Sequence, residues 1–350
     1  MARAVHAMGT TPEHIVLLED DRSGLKGVIV LHSTQLGPAL GGCRFRRCDD
    51  LAAMHGEALR LAEVATNRHA IAGLPLGGGQ AVLAVPERPF DRARLFEAFG
   101  RAVARFGGRY LAIGGLGMTA DDMASMRRTT QHVVGIADDV SRWTARGVFR
   151  AMEAAARQRF GKPLRNIVVA VHGLGDVGAH LCGLLHGAGA RLIVADPCVE
   201  ATATMAARYG ARVVEGDAIF HAPADIFAPC AGGGTLDRDR IAGLRAKLIC
   251  GAADGVLATP DGGELLAARG LLLAPDHVVN AGGAIATAGE YFGWDAAAVE
   301  ARVDSIGDLF ADLLRHADAQ GITLGQAADC LARRRIAEGA ASRSPVAYAL

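Results

Sequence analysis

This chain lacks a net charge, since Lys+Arg and Asp+Glu both number 37, so it offers no overall basic field to a polyanion and no nucleic-acid partner is expected. It also lacks any C-x-x-C pair. Its seven cysteines (43, 48, 182, 198, 230, 250 and 330) are odd in number and scattered, which fits neither a disulfide framework nor a zinc spacing. Several sit inside apolar runs such as Leu248-Ile249-Cys250, and they read as reduced thiols in or near the core of a cytosolic protein. No apolar run approaches the ~20 residues that span a bilayer, and Met1 to Thr10 lacks the basic-then-apolar order of a signal peptide. The expected address is therefore the cytoplasm, away from any membrane. Internal repeats and low-complexity linkers are missing too.

What is present is a 350-residue chain with 51% apolar residues and 45 glycines, too long for one ordinary core and suited to two α/β domains. His14 to Leu18 and Gly27 to Leu31 are apolar β-type runs around the turn Asp21-Arg-Ser-Gly24, which predicts a hairpin. A helix follows from Leu51 to about Ala65, with Leu51, Met54, Ala58, Leu61 and Ala62 on one face. Strand Ala81 to Val85, helix Asp91 to Phe106 and strand Tyr110 to Ile113 come next. A further helix starts near Thr119, with Asp121 and Asp122 in its first turn, where the macrodipole favours acids. Ser141 to Gln158 reads as a long connecting helix. From Ile167 to Asn280 strand and helix alternate at short intervals, as in a parallel sheet wrapped by helices. Amphipathic helices Ala297 to Ala319 and Leu324 to Glu338 end the chain, and Gly339 to Leu350 reads as a frayed tail.

The second half carries a phosphate-binding pattern. The β run Ile167 to Val171 feeds Gly173-Leu-Gly175-Asp176-Val177-Gly178 at the start of a helical stretch, Ala179 to His186. Gly173 suits a tight turn, Gly175 lets the backbone approach a pyrophosphate, and Gly178 lets helix and strand pack closely; exposed N–H groups at the helix start then meet the phosphates. The pattern alone also fits a glycine turn with no ligand. Here, however, the next strand, Arg191 to Ala195, ends in Asp196, about 20 residues on, where an acid binds a ribose 2′-hydroxyl and repels a 2′-phosphate. NAD(H) is expected rather than NADP(H). His172 and His180 flank the loop without a third ligand at suitable spacing, so they read as packing or solvated side chains and no metal is expected.

Several longer stretches carry a resemblance that covers nearly the whole chain: Gly37-Pro-Ala-Leu-Gly-Gly-Cys-Arg44, Gly73-Leu-Pro-Leu-Gly-Gly-Gly79, Gly108-Arg-Tyr110, Thr144-Ala-Arg-Gly-Val-Phe149, Asp225-Ile-Phe-Ala-Pro-Cys-Ala231 and Ala274-Pro-Asp-His-Val-Val-Asn-Ala-Gly-Gly283. In this order they resemble the leucine, phenylalanine and valine dehydrogenase family. The resemblance implies an N-terminal substrate and oligomerisation domain (1–140), a Rossmann-type domain (141–323), a cleft between them, and a final helix (about 324–340) packed back on the first domain. It further implies homo-oligomers built from dimers and reversible NAD-dependent oxidative deamination of an apolar L-amino acid. Gly41, Gly42, Arg68 and Asn280 correspond to substrate positions. Thr144, Cys230, Ala231, Ala253, Asp254 and Asn280 join Gly173, Gly175, Asp176, Val177, Gly178 and Asp196 at the nucleotide.

The sequence departs from the family pattern where the chemistry lies. The family's Thr-Tyr-Lys, whose lysine holds the substrate carboxylate, is Thr66-Asn-Arg68 here. The lysine that closes the glycine run as general base is Gln80, and the aspartate that assists proton transfer is Gly115. Arginine still offers a carboxylate a bidentate fork, but glutamine exchanges no proton near neutral pH and glycine has no side chain. Losing one general acid or base costs ~10²- to 10⁴-fold. Near the nicotinamide end, Asp254 stands where the family carries a neutral amide. His69 is a candidate substitute proton carrier, with a core position as the alternative. Three functions follow: reduction of a preformed imine, cyclic or delivered by a partner enzyme, with Gly115 making room for a bulkier substrate; a non-catalytic paralogue serving as sensor or structural partner; or a slow amino-acid dehydrogenase that Gln80→Lys with Gly115→Asp would accelerate.

Overall fold

The computed structural model describes residues 11–48, 50–135 and 139–342, with the backbone alone for 340–342; the expectations for Met1–Thr10 and for the tail beyond 342 lie outside the described residues. The chain divides into two units, with boundaries between 137 and 138 and between Leu331 and Ala332.

The first unit runs β1 (His14–Asp20), β2 (Leu25–Ser33), β3 (Ala39–Arg46), α1 (Leu51–Ile71), β4 (Gly77–Ala84), α2 (Arg92–Ala104), β5 (Tyr110–Ile113) and α3 (Ala120–Arg127). Its sheet has the order β1-β2-β4-β3-β5; the first two neighbour pairs are antiparallel, and β3 lies parallel to both β4 and β5. Helices cover both faces, which is why β2 reads as a continuous apolar run. Ile29 and Leu31 point to one face with Phe96, Phe99 and Met126, while Val28 and Val30 point to the other with Met54, Ala58 and Ala62 of α1. Each fully buried Phe in this layer contributes roughly 1.5–3 kcal/mol.

Three segments differ from the sequence expectation. The glycine run Gly77-Gly78-Gly79-Gln80 is the first half of strand β4, whose start the sequence places at Ala81, and β3, where the sequence suggests no strand, runs through Gly41 and Gly42. Close packing holds these glycines extended: a Cβ on Gly79 would stand 2.9 Å from the Tyr110 ring, and one on Gly78 would collide with Thr66. Helix α1 continues two turns beyond Ala65, which places Arg68 and His69 on the helix.

The second unit comprises α4 (Val140–Arg159), β6 (Val168–His172), α5 (Asp176–Gly187), β7 (Arg191–Ala195), α6 (Val199–Tyr209), β8 (Arg212–Val213), β9 (Ile226–Pro229), α7 (Arg238–Gly243), β10 (Leu248–Ile249), α8 (Gly262–Ala268), β11 (Leu272–Leu273), α9 (Asp276–Val279), α10 (Gly282–Phe292) and α11 (Ala296–Gln320). Its sheet, ordered β11-β10-β9-β6-β7-β8, is parallel throughout. The chain order reverses beside β6, and ligands bind at the carboxyl ends of strands at such a switch point. Helices α4 and α11 are joined by Arg146 and Arg150, which bond the two oxygens of Asp304. Burial pulls the Asp304 carboxyl upward, but the two guanidinium groups outweigh it and hold the group well below the usual carboxylate range.

Helix α12 (Leu324–Ser342) starts in the second unit and ends in the first. It remains helical past Gly339, where the sequence suggested fraying. There Arg335 donates to the carbonyls of Ala70 and Ile71, capping the end of α1. Among the described residues, no helix is long and apolar enough to cross a membrane.

Candidate functional site

In the second unit the glycine loop opens directly from the end of β6. Gly173 adopts φ +98°, a left-handed conformation that favours glycine, and a Cβ there would lie 2.6 Å from the Ala231 nitrogen. Gly178 packs so closely on the Gly173 carbonyl that a side chain would overlap it. Gly175 differs: it caps the N-terminus of α5, and nothing lies within 4 Å of where its Cβ would stand. A tight turn, a close helix contact and an open approach over free helix N–H groups form the cradle that a pyrophosphate fits. Asp176 and Val177 form the first turn of α5, with Asp176 exposed.

Asp196, at the end of β7, is fixed beside this loop. Its Oδ2 accepts from the Leu174 N–H at 2.6 Å and its Oδ1 from the Cys198 N–H at 2.8 Å. Each oxygen keeps a further lone pair for a hydroxyl. Cys230 joins the same edge, its N–H donating to the His172 carbonyl at 2.7 Å. Burial pushes the Cys230 thiol up to about 11 and that of Cys182, on α5, up to about 12, so neither is a thiolate near neutral pH. Cys198 and Cys330 are exposed, which corrects the expectation that the cysteines lie in or near the core.

The cluster continues along the carboxyl edge. The Ala253 N–H donates to the Pro229 carbonyl at 2.9 Å. Asn280 follows α9 and is 8% exposed; its Nδ2 donates to the Ala252 carbonyl at 3.1 Å and to Asp254 Oδ1 at 2.9 Å. Its Oδ1 is sealed from solvent and accepts no hydrogen bond. Thr144 bonds the Val140 carbonyl within α4 and lies against the start of α10, 2.7 Å from where a Cβ on Gly283 would be. His172 packs against Phe220 and Phe227, which also touch each other, and the exposed His180 pairs with Asp139 at 3.0 Å.

The first unit places Gly41, Gly42 and Gln80, midway along β3 and β4, beside the carboxyl end of β5, which Gly115 follows. Gln80 is buried, its Nε2 donates to the Ala81 carbonyl at 3.0 Å, and its Oε1 lies 3.4 Å from where Gly42 would carry a Cβ. The carbonyl of Gly114 is 3.8 Å from the same point. Tyr110 donates its hydroxyl toward the carbonyls of Gly41 and Gly42. Arg68 sits half-buried in the last turn of α1, the helix whose Thr66 packs on Gly78. The chain's lysines are Lys26, Lys162 and Lys247, none of them in β4.

Two sequence expectations are corrected at this site. Gly115 does not make room: a Cβ there would stand 2.5 Å from the Cys43 carbonyl oxygen, so backbone fills the space. The Gly115 carbonyl accepts from the Met118 N–H at 3.0 Å across a turn whose third residue, Gly117, has φ +81°. His69 is not a proton carrier at the site. It is buried with Nδ1 2.6 Å from the Gly77 carbonyl, and burial drives its imidazole down to about 4.

Sequence reasoning missed Arg92. It bonds both oxygens of Asp122 at 2.7 and 2.6 Å and donates to the Gly117 carbonyl at 2.7 Å, fastening the turn after β5 to α3. Asp122 also closes a capping box with Thr119. The first-turn acids announced the cap, but nothing local announces a partner 30 residues upstream.

Comparison with known proteins matches residues 12–132 to the Glu/Leu/Phe/Val dehydrogenase dimerisation domain and residues 199–343 to Glutamate/Leucine/Phenylalanine/Valine dehydrogenase. The chain is 40% identical to leucine dehydrogenase of Bacillus cereus, over 95% of this chain and 93% of that one. It is also 40% identical to valine dehydrogenase of Streptomyces albus, over 95% and 94%. Among solved structures, L-tryptophan dehydrogenase from Nostoc punctiforme superposes with a TM-score of 0.86 at 34% identity, covering 95% of this chain and 97% of that one.

Proposed function

Because the chain belongs to the Glu/Leu/Phe/Val dehydrogenase family, we propose that it is an NAD(H)-dependent oxidoreductase acting on a C–N bond of a carboxylate-bearing substrate, which it accepts as a preformed imine. The observation that carries this reading is a contrast between two sites. The glycine turn of Gly173, Gly175 and Gly178 with Asp196 beside it supports nucleotide binding, while the positions where the resemblance places a base and an acid hold Gln80 and Gly115.

Adding or expelling ammonia or water at carbon requires proton transfers that neither residue performs. Reducing an imine requires only that its carbon be placed for hydride transfer and its nitrogen gain a proton, which solvent provides. NADH, when bound, supplies the hydride and leaves as NAD+. Arg68 offers a fork to the substrate carboxylate, Gln80 contributes a neutral polar surface, and Asp196 receives the adenosine ribose. The match of the first unit to a dimerisation domain supports a homo-oligomer built from dimers.

The test is a fluorescence titration with NADH, followed by NADH oxidation assays with a cyclic imino acid and with 2-oxo acid plus ammonium. Saturable micromolar binding and turnover of the imine alone are expected; the reverse substrate preference overturns the reading. The Cys43 carbonyl closing position 115 also favours a second reading, a non-catalytic paralogue that senses nucleotide or amino acid. Stabilisation by ligand without turnover of either substrate would establish it.

A further inference from the structure

Position 280 carries an amide whose orientation is decided by its neighbours. Nδ2 of Asn280 faces two oxygens, the Ala252 carbonyl at 3.1 Å and Asp254 Oδ1 at 2.9 Å. A carbonyl accepts and never donates, and so does a carboxylate. Rotating the amide by half a turn would set its oxygen against both, so the nitrogen is committed to the protein and Oδ1 to the opposite side. A neutral amide at 254, which the family resemblance would place there, can present either its oxygen or its nitrogen, which leaves the Ala252 carbonyl alone to favour one orientation. Oδ1 of Asn280 lies in a residue more than nine-tenths buried and receives no donor from the protein, although buried acceptors are nearly always satisfied.

We infer that Asp254 is a positioning residue that locks the Asn280 amide, making Oδ1 an obligate acceptor for an N–H donor of the bound ligand. The inference rests on the nucleotide-dependent function proposed above. Two ligand groups have this chemistry at the carboxyl edge of the sheet: the carboxamide N–H of nicotinamide and the protonated nitrogen of an amine substrate. Asp254 is itself exposed, so replacing it perturbs the amide without opening the core.

The experiment compares wild type with Asp254→Asn and Asp254→Ala by equilibrium binding. One arm titrates NADH against its 3-acetylpyridine analogue, in which methyl replaces the carboxamide NH2. The other titrates L-leucine against 4-methylpentanoate, which lacks the amino group, at saturating NADH. Wild type is expected to favour the N–H-bearing ligand roughly tenfold or more in one arm, the usual consequence of leaving a buried acceptor unpaired. Both variants are expected to lose part of that preference, the Ala252 carbonyl still favouring the same orientation, while melting within a few degrees of wild type. The arm that shows the loss identifies the donor. Equal preference in wild type and variants, or none in wild type in either arm, overturns the lock. Failure of wild type to bind NADH at all is a different result: it removes the proposed function and the lock with it.

Discussion

The carbonyl oxygen of Cys43 lies 2.5 Å from the point where Gly115 would carry a Cβ. Strand β3 and the turn after β5 meet there backbone to backbone, and the contact is pinned from both sides. Phe45 donates its N–H to the Leu116 carbonyl at 2.8 Å, and Arg92 holds the Gly117 carbonyl. Glycine at 115 is therefore demanded by packing, whatever its consequence for chemistry.

Gly115→Ala is accordingly expected to destabilise the first unit by about 1–3 kcal/mol, the usual cost of overpacking, with Gly115→Asp at least as costly. Adding Gly115→Asp to Gln80→Lys should lower the melting temperature below that of Gln80→Lys alone and produce no reductive amination. Thermal unfolding and an NADH assay with 2-oxo acid and ammonium measure both. A large gain in turnover from the pair would mean that the turn moves aside.

The nucleotide loop makes the opposite distinction. Gly175→Ala places its methyl in open space at φ −62°, an ordinary value for an L residue, so stability should change by no more than about 0.5 kcal/mol. NADH affinity should fall by roughly tenfold or more, because the methyl occupies the phosphate approach. Gly178→Ala should instead lower the melting temperature, since its methyl meets the Gly173 carbonyl. Equal losses of stability in the two variants would contradict these separate roles.

These contrasts show where the sequence was legible. The β6 run, the glycine spacing and Asp196 report structure within about thirty residues, and period and spacing suffice to read them. The first half of β4 and all of β3 were hidden because Gly77 to Gly79 and Gly41-Gly42 have weak strand preference and are held extended by contacts with Tyr110, Thr66 and neighbouring strands. The last turns of α1 were hidden because Thr66 and Asn67 interrupt the apolar face, although Thr66 is buried against His32. The Cys43–Gly115 contact joins residues 72 positions apart, and glycine at 115 announces only an absent side chain.

His69 gives the fold a pH dependence of known sign. Burial holds its imidazole at about 4 in the folded chain, against roughly 6.5 when unfolded. Between those values the unfolded chain binds more protons, so this contribution is fully present above pH 6.5 and is lost as pH falls through about 4. The slope reaches at most about 1.4 kcal/mol per pH unit. His69→Gln should be less stable than wild type at pH 7.5, and the gap should narrow on acidification to pH 4.5. Urea titrations at the two pH values measure it, and an unchanged gap would exclude His69 as the source.

The Arg92–Asp122 pair makes an unequal prediction for its two ends. Asp122 is 2% exposed at its side chain and Arg92 41%. Burial raises the Asp122 carboxyl, but bonds from Arg92 and Thr119 outweigh it and leave the group below its ordinary value. Its stabilisation is thus present above about pH 4 and lost as pH falls further. Asp122→Asn removes the charge together with its need for a partner. Arg92→Ala leaves a buried carboxylate uncompensated, frees the Gly117 carbonyl, and removes a guanidinium stacked 4.8 Å from the Phe45 ring. Breaking a buried pair from the side that strands a charge costs up to about 3–5 kcal/mol, reduced here because Arg92 is partly solvated. Arg92→Ala should therefore melt below Asp122→Asn at pH 7. Without Arg92 the Asp122 carboxyl loses a main group that holds it down, so the deficit against wild type narrows as pH falls through about 4, where wild type gives up its own paired carboxylate. Melting curves at pH 7 and pH 4 test both statements; a deficit that is the same at the two pH values would show that Arg92 stabilises the turn through packing and the Gly117 bond, with its charge contributing little.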